Sequence, residues 1–141
     1  MTKLDRNLLE TMKAGDLLEQ FAIGKHNFKK IDLYDCDLSW KYLARINLSY
    51  ANLSISVLEG IDLPAAILIK ANLFRADLTA ANLFRANLRG ANSRGADLRG
   101  ADLTKANLYG ADLTGASFTG AELSGAIMPN GTIIPKHSII R

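Results

Sequence analysis

A ladder of apolar residues at every fifth position constrains this chain more than any other feature. It starts at Phe28, continues as leucine at each fifth residue from Leu33 to Leu88, passes through Ser93, and resumes with Leu98, Leu103, Leu108, Leu113, Phe118, Leu123 and Met128. Of these 21 positions only Ser93 is polar. Two residues before each rung the chain places alanine, unbroken from Ala66 to Ala126, with Ala51 earlier and Ile31, Cys36, Ile46 and Ile61 as larger apolar substitutes. The residue between is Asn or Asp in 15 of the 21 repeats. Two apolar residues flanking one polar residue put both apolar side chains on one face of an extended segment. The next apolar residue follows three positions on, so the chain must turn before the alternation resumes. Helical faces recur at three and four and strand faces at two, so neither a helix nor a long flat strand fits. A turn in every pentad does.

Runs such as Ala71-Asn72-Leu73-Phe74-Arg75 and Ala76-Asp77-Leu78-Thr79-Ala80 carry the A(D/N)LXX motif, which continues to Ala121-Glu122-Leu123-Ser124-Gly125 with Glu122 in the polar place. On these residues the chain resembles the pentapeptide-repeat family over about residues 26–130. The resemblance implies an all-β fold: a right-handed quadrilateral β-helix, four pentads to a coil, with the central Leu and the small residue two before it pointing inward. About five coils stacked at strand spacing would stand roughly 25 Å tall. In physical terms, Ala suits the crowded inner corner, and Asn or Asp can brace the turn by bonding nearby backbone groups. Gly closes the pentad at 90, 95, 100, 110, 115, 120 and 125, as a turn with positive φ at its third residue requires. Asp35, Trp40, Arg45, Tyr50 and Ile55 hold that place earlier, which predicts a different turn type in the first half.

A solenoid exposes its core at both ends unless capped, so the flanks are expected to be caps. The expected organisation is an N-terminal helical cap over 1–25, a solenoid over 26–130 and a C-terminal cap or tail over 131–141. Thr2 and Asp5 suit a helix start, Leu4, Leu8 and Met12 share one helical face, and Gly15 would end that helix. Asp16 with Glu19 would open a second short turn carrying Leu17, Leu18 and Phe21, stopped by Gly24. Ile133, Ile134, Ile139 and Ile140 would cover the last coil after the Met128-Pro129-Asn130-Gly131 turn. The ends resemble those of cyanobacterial family members.

Charged residues interrupt the first fifteen positions, and no apolar run approaches a membrane span, so a cytoplasmic protein with no membrane partner is expected. The single Cys36 can form neither an internal disulfide nor a cysteine cluster, and it reads as a small buried apolar residue. Lys41 falls at an inward position, where it must either bulge the chain or escape through the open end. Ser93 predicts a small void or a bound water. His26 and His137 lie at opposite ends of the column, and no nucleophile triad, metal-ligand spacing or phosphate loop occurs. No catalytic residue, metal or cofactor is therefore expected.

Arg89, Arg94 and Arg99 suggest nucleic acid, but a spacing of five sends them to three successive faces. Arg85 and Lys105 do share a column, together with Asp62, Asp102 and Glu122, so nucleic acid is not the expected partner. The remaining reading is a non-enzymatic interaction module with a protein partner or self-association. The alternative, which the resemblance supplies, is a duplex-DNA mimic that regulates a type II topoisomerase. Mimicry needs dense negative charge, whereas residues 26–130 hold 11 basic and 10 acidic residues. Stacking the sequence in rows of twenty places Tyr50, Ile67 and Ile69 on one face and Tyr34, Ile55 and Phe74 on the next, a candidate partner surface. Three readings of it stay open: the N-terminal segment covers it, its β-branched and aromatic residues simply stiffen the walls, or a protein partner or second copy docks there.

Overall fold

The computed structural model describes residues 10–137, 139 and 140. Parallel bridges join each central polar residue to the one twenty positions on, for example Asn27 to Asn47, Asn47 to Ile67, and on through Asn87 and Asn107 to Ile127. Twenty residues therefore make one coil, and each pentad makes one of four faces. The first face carries 26–30, 46–50, 66–70 and so on; the second begins at 31, the third at 36 and the fourth at 41. The leucine rungs from Leu33 to Leu88 and the alanines from Ala66 to Ala111 are buried and fill the column.

Each pentad closes with a hydrogen bond from the residue after the turn to the rung carbonyl, as from the Cys36 amide to the Leu33 oxygen at 3.2 Å. The third turn residue has positive φ in every pentad from Lys30 to Gly125, including Asp35, Trp40, Arg45, Tyr50 and Ile55 at +52° to +63°. The expected change of turn type in the first half is thus not found. One turn, of the class with positive φ at its third residue, serves the column from its first turn to Gly125. Ladder bonds to the coil above, such as Tyr50 N–H to the Ile69 oxygen at 2.9 Å, fix that geometry even where the residue is not glycine.

The polar residue in each pentad has a defined task. Its side-chain oxygen accepts from the amide two residues on: Asp32 from Tyr34, Asn52 from Ser54, Asn72 from Phe74, Asp102 from Thr104, at 2.9–3.1 Å. That amide has no backbone acceptor in the ladder, which explains why Asn and Asp recur. Asn52 also donates to Asp32 at 3.1 Å and Asn82 to Asp62 at 2.8 Å, linking coil to coil.

At the lower end, β1 (Glu10–Thr11) pairs in parallel with β2 (Ile31–Asp32), and α1 (Ala14–Ala22) follows β1. Leu17 is fully buried and Leu18 and Phe21 pack against the first coil. The expected first helix is not seen at 10–12, Gly15 lies inside α1 rather than ending a helix, and Lys13 rather than Asp16 is the N-cap. Residues 1–9, with Thr2, Leu4, Asp5 and Leu8, lie outside the described residues. Gly24, at φ +103°, does follow the helix end.

At the upper end Ile133 and Ile139 bridge antiparallel to Ile127 and Glu122. Only Ile134 of the four isoleucines packs against the core; Ile133, Ile139 and Ile140 are exposed. The tail thus edges the fourth and first faces, while Leu113 and Phe118, on the other two, are half-buried.

Lys41 is exposed in the lowest coil, and the ladder there is regular, with Asp62 N–H to the Lys41 oxygen at 2.8 Å. The bulge is therefore excluded. Cys36 is half-buried rather than buried, and its Sγ–H donates to Ser56 Oγ at 3.4 Å. That hydroxyl in turn donates to the Leu33 carbonyl at 2.9 Å. Burial raises the thiol above its ordinary range. Ser93 is 2% exposed, and its backbone bonds match those of the leucine pentads.

Candidate functional surfaces

Turns whose third residue faces outward place side chains in vertical columns, so a surface on this protein is built from residues twenty apart. On the first and second faces, in the lowest three coils, Tyr34, Tyr50 and Phe74 are 41%, 46% and 37% exposed. Ile55, Ile67 and Ile69 beside them are half-buried. Tyr34, Ile55 and Phe74 line one shallow groove of about 330 Å³ with Asn72, Asn92 and Arg94. Ile69 lines a separate one of about 400 Å³ with Lys70, Arg89 and Tyr109. Three of the expected surface residues thus share one groove and Ile69 lines another across the corner, while Tyr50 and Ile67 line neither. Cations rim it: Arg75 stacks over the Phe74 ring at 5.3 Å and Lys70 Nζ stands 6.0 Å from the Tyr50 centroid.

The three arginines that suggested nucleic acid are dispersed. Arg94 pairs with Asp112 at 3.4 Å, Arg99 with Asp97 at 2.6 Å, and Arg89 lies over the Tyr109 ring at 5.3 Å. The Arg99 guanidinium holds Asp97 below its ordinary carboxylate range, and the Thr114 hydroxyl does the same for Asp112.

A further groove, on the fourth face, was not among the expected sites. It measures about 750 Å³ and is lined by Phe21, His26, Tyr42, Arg45, Ala65, Phe84 and Arg85 among others. The sequence signal for it is the short pair Pro64-Ala65 stacked between Ala44-Arg45 and Phe84-Arg85. Phe21 and His26 come from outside that column, their rings 4.7 Å apart. Among the described residues no group of three or more His, Cys, Asp or Glu is placed to hold a metal. No helix among them is long and apolar enough to cross a membrane.

The family model for pentapeptide repeats matches residues 42–79, 81–120 and 94–130, with 8 copies. The chain belongs to the pentapeptide-repeat family. Pentapeptide-repeat proteins fold as right-handed quadrilateral β-helices, and the twenty-residue register above is that architecture. A similar solved structure is the pentapeptide repeat protein Rfr23 from the cyanobacterium Cyanothece 51142. It is 33% identical, covers 84% of this chain and 97% of its own, and superposes with a TM-score of 0.75. A pentapeptide repeat protein of the Arabidopsis thaliana thylakoid lumen is 26% identical over 74% of this chain and 70% of its own, with a TM-score of 0.66. No curated protein sequence matches the chain. Pentapeptide-repeat proteins are generally structural or interaction modules.

Proposed function

We propose that this protein is a non-enzymatic interaction module. It docks a protein partner, either another protein or a second copy of itself, through Tyr34, Tyr50, Ile55, Ile67, Ile69 and Phe74. The observation that carries this reading is the grouping of three exposed aromatic side chains and three half-buried isoleucines on two adjacent faces of the lowest three coils. Such a patch, with aromatic residues inside and Arg75, Lys70 and Arg94 at its edge, has the composition of a protein interface. A stiff column suits the role, because an ordered scaffold pays little entropy to present its side chains.

The test replaces Ile67 by Asn and Ile69 by Thr together, which restores repeat-like polarity without touching the inward Leu68. Sedimentation and capture from native extract are compared with the unaltered protein. Loss of self-association or of a captured partner at unchanged melting temperature supports the interface. Unchanged binding removes this patch from consideration.

A further inference from the structure

The groove on the fourth face is physically separate from the patch just described and has different chemistry. Its two cations stand in one column: Arg45 in the first coil, Arg85 two coils above, and Ala65 between them. All three occupy the same turn position, with φ of +61°, +57° and +57°, so their side chains leave the wall from equivalent points. Where the neighbours project a long guanidinium, Ala65 projects a methyl group, and the result is a notch with a cation above and below it. Pro64 and Ala44 give the notch a short apolar floor, and Tyr42, Phe84, Phe21 and His26 supply rings around it.

Among the described residues neither Arg45 nor Arg85 has a carboxylate within ion-pair distance, in contrast to Arg94 and Arg99. The Arg85 guanidinium lies 5.5 Å from the Phe84 ring, which steadies it without neutralising it. The nearby Asp62 carboxylate accepts from Asn82 at 2.8 Å. The lining of the groove thus holds two cations, no carboxylate and an aromatic bed, with the Asp62 charge outside it.

We infer that this groove binds an extended acidic peptide segment lying along the column axis. Two coils separate the cations by roughly 9.6 Å along the axis. A polyproline II segment rises about 9.3 Å over three residues and returns side chains to the same side at that interval. Acidic residues at i and i+3 thus meet Arg45 and Arg85, and the intervening pair, proline or small apolar, rests over Ala65 against the rings. Prolines on aromatic rings are the usual contact for such segments. A nucleic acid fits less well. Asp62 and Asp102 lie on the same face, and a continuous run of phosphates would be brought against both.

The test is fluorescence anisotropy on the full chain, at low salt, with a fluorescein-labelled Pro-Glu-Pro-Pro-Glu-Pro peptide. Its Gln-for-Glu counterpart and a labelled single-stranded DNA of about the same length serve as comparison probes. The acidic peptide is expected to bind, with Arg45→Gln and Arg85→Gln each weakening it about tenfold, as loss of one charge-assisted contact would. Ala65→Gln, which fills the notch without altering charge, is expected to weaken it similarly. Circular dichroism confirms that each variant keeps the fold. Equal binding of the acidic and Gln peptides, or no binding of either, overturns the proposal. So does tighter binding of the DNA that depends on the same two arginines. Ile67→Asn with Ile69→Thr should leave peptide binding unchanged, so failure here and failure of the apolar patch are read separately.

Discussion

Replacing Gly60 by alanine asks how much of the wall is held by its turns and how much by what rests on them. Gly60 is a third turn residue at φ +62°, and Trp40, one coil below, lays its indole across it. A Cβ at position 60 would stand 2.2 Å from Trp40 Cε3 and 2.3 Å from Cζ3, so the indole must leave. Gly100 stands two coils above Gly60 in the same column, at φ +69°, and a Cβ there meets nothing nearer than the Ala80 nitrogen at 3.9 Å. The backbone cost is therefore shared. Left-handed alanine costs about 1–2 kcal/mol, offset by about 0.4–1 kcal/mol of unfolded-chain entropy, leaving roughly 1 kcal/mol at either site. Trp40 is 67% exposed, so about a third of its surface is covered. That is roughly 70 Å², or at most about 2 kcal/mol, lost only in Gly60→Ala. Thermal unfolding should place Gly60→Ala about 1–2 kcal/mol below Gly100→Ala, a further loss of roughly 3–8 °C. Trp40 is the chain's only tryptophan, so its emission should shift to the red in Gly60→Ala and stay unchanged in Gly100→Ala. Equal melting losses with unmoved emission would refute the reasoning.

Ser93→Leu should raise the melting temperature, because the wall around Ser93 keeps the leucine geometry and burial there is worth roughly 1–3 kcal/mol. A lower value would show overpacking between Leu73 and Leu113. Cys36, whose thiol burial pushes up, should alkylate more slowly at pH 8 than an unburied thiol and accelerate on unfolding; equal rates would contradict its placement. In a supercoiling assay micromolar protein should leave DNA gyrase uninhibited, since 11 basic residues face 10 acidic ones in the repeat region; clear inhibition would revive the DNA-mimic reading.

The twenty-residue register was legible because every pentad repeats the same local demand. A rung must be apolar, a corner must be small, and the residue between must offer an oxygen to the amide two ahead. The turns were misread for a physical reason. Residue preference at Trp40, Tyr50 and Ile55 argues against positive φ, but a ladder bond from each of their amides to the coil above holds them there. Preference at one residue is worth about a kilocalorie, whereas leaving that ladder is a cooperative event. The fourth-face groove was missed because it needs side chains from three coils and from α1 at once. Likewise Gly15 reads as a helix end in isolation, yet α1 runs through it because Leu17, Leu18 and Phe21 bury a common face on the first coil.

The two candidate surfaces share a local property that the repeat itself explains. Where the bracing residue is not Asn or Asp, the amide two ahead has no side-chain acceptor, except at Glu122, which accepts from the Ser124 amide at 3.1 Å. Val57 and Ser117 leave the Glu59 and Thr119 amides in the same state. At Ile127 this costs nothing, because the residue two ahead is Pro129 and has no N–H. At Ile67 and Tyr42 the amides affected are those of Ile69 and Ala44, and among the described residues neither finds an acceptor in the protein. Ile67 and Ile69 belong to the apolar patch; Tyr42 and Ala44 line the basic groove. Each surface thus holds an amide free to donate to water or to a partner's carbonyl beside its apolar or cationic contacts. The same accounting fixes what Ile67→Asn should do to stability. It restores one side-chain to backbone bond, worth about 0.5–1.5 kcal/mol, and gives up part of a half-buried isoleucine of similar worth. The two nearly cancel for Ile67→Asn; Ile69→Thr gives up part of a second half-buried isoleucine, so a loss of association at unchanged melting temperature is the result that reports on the surface and not on the fold.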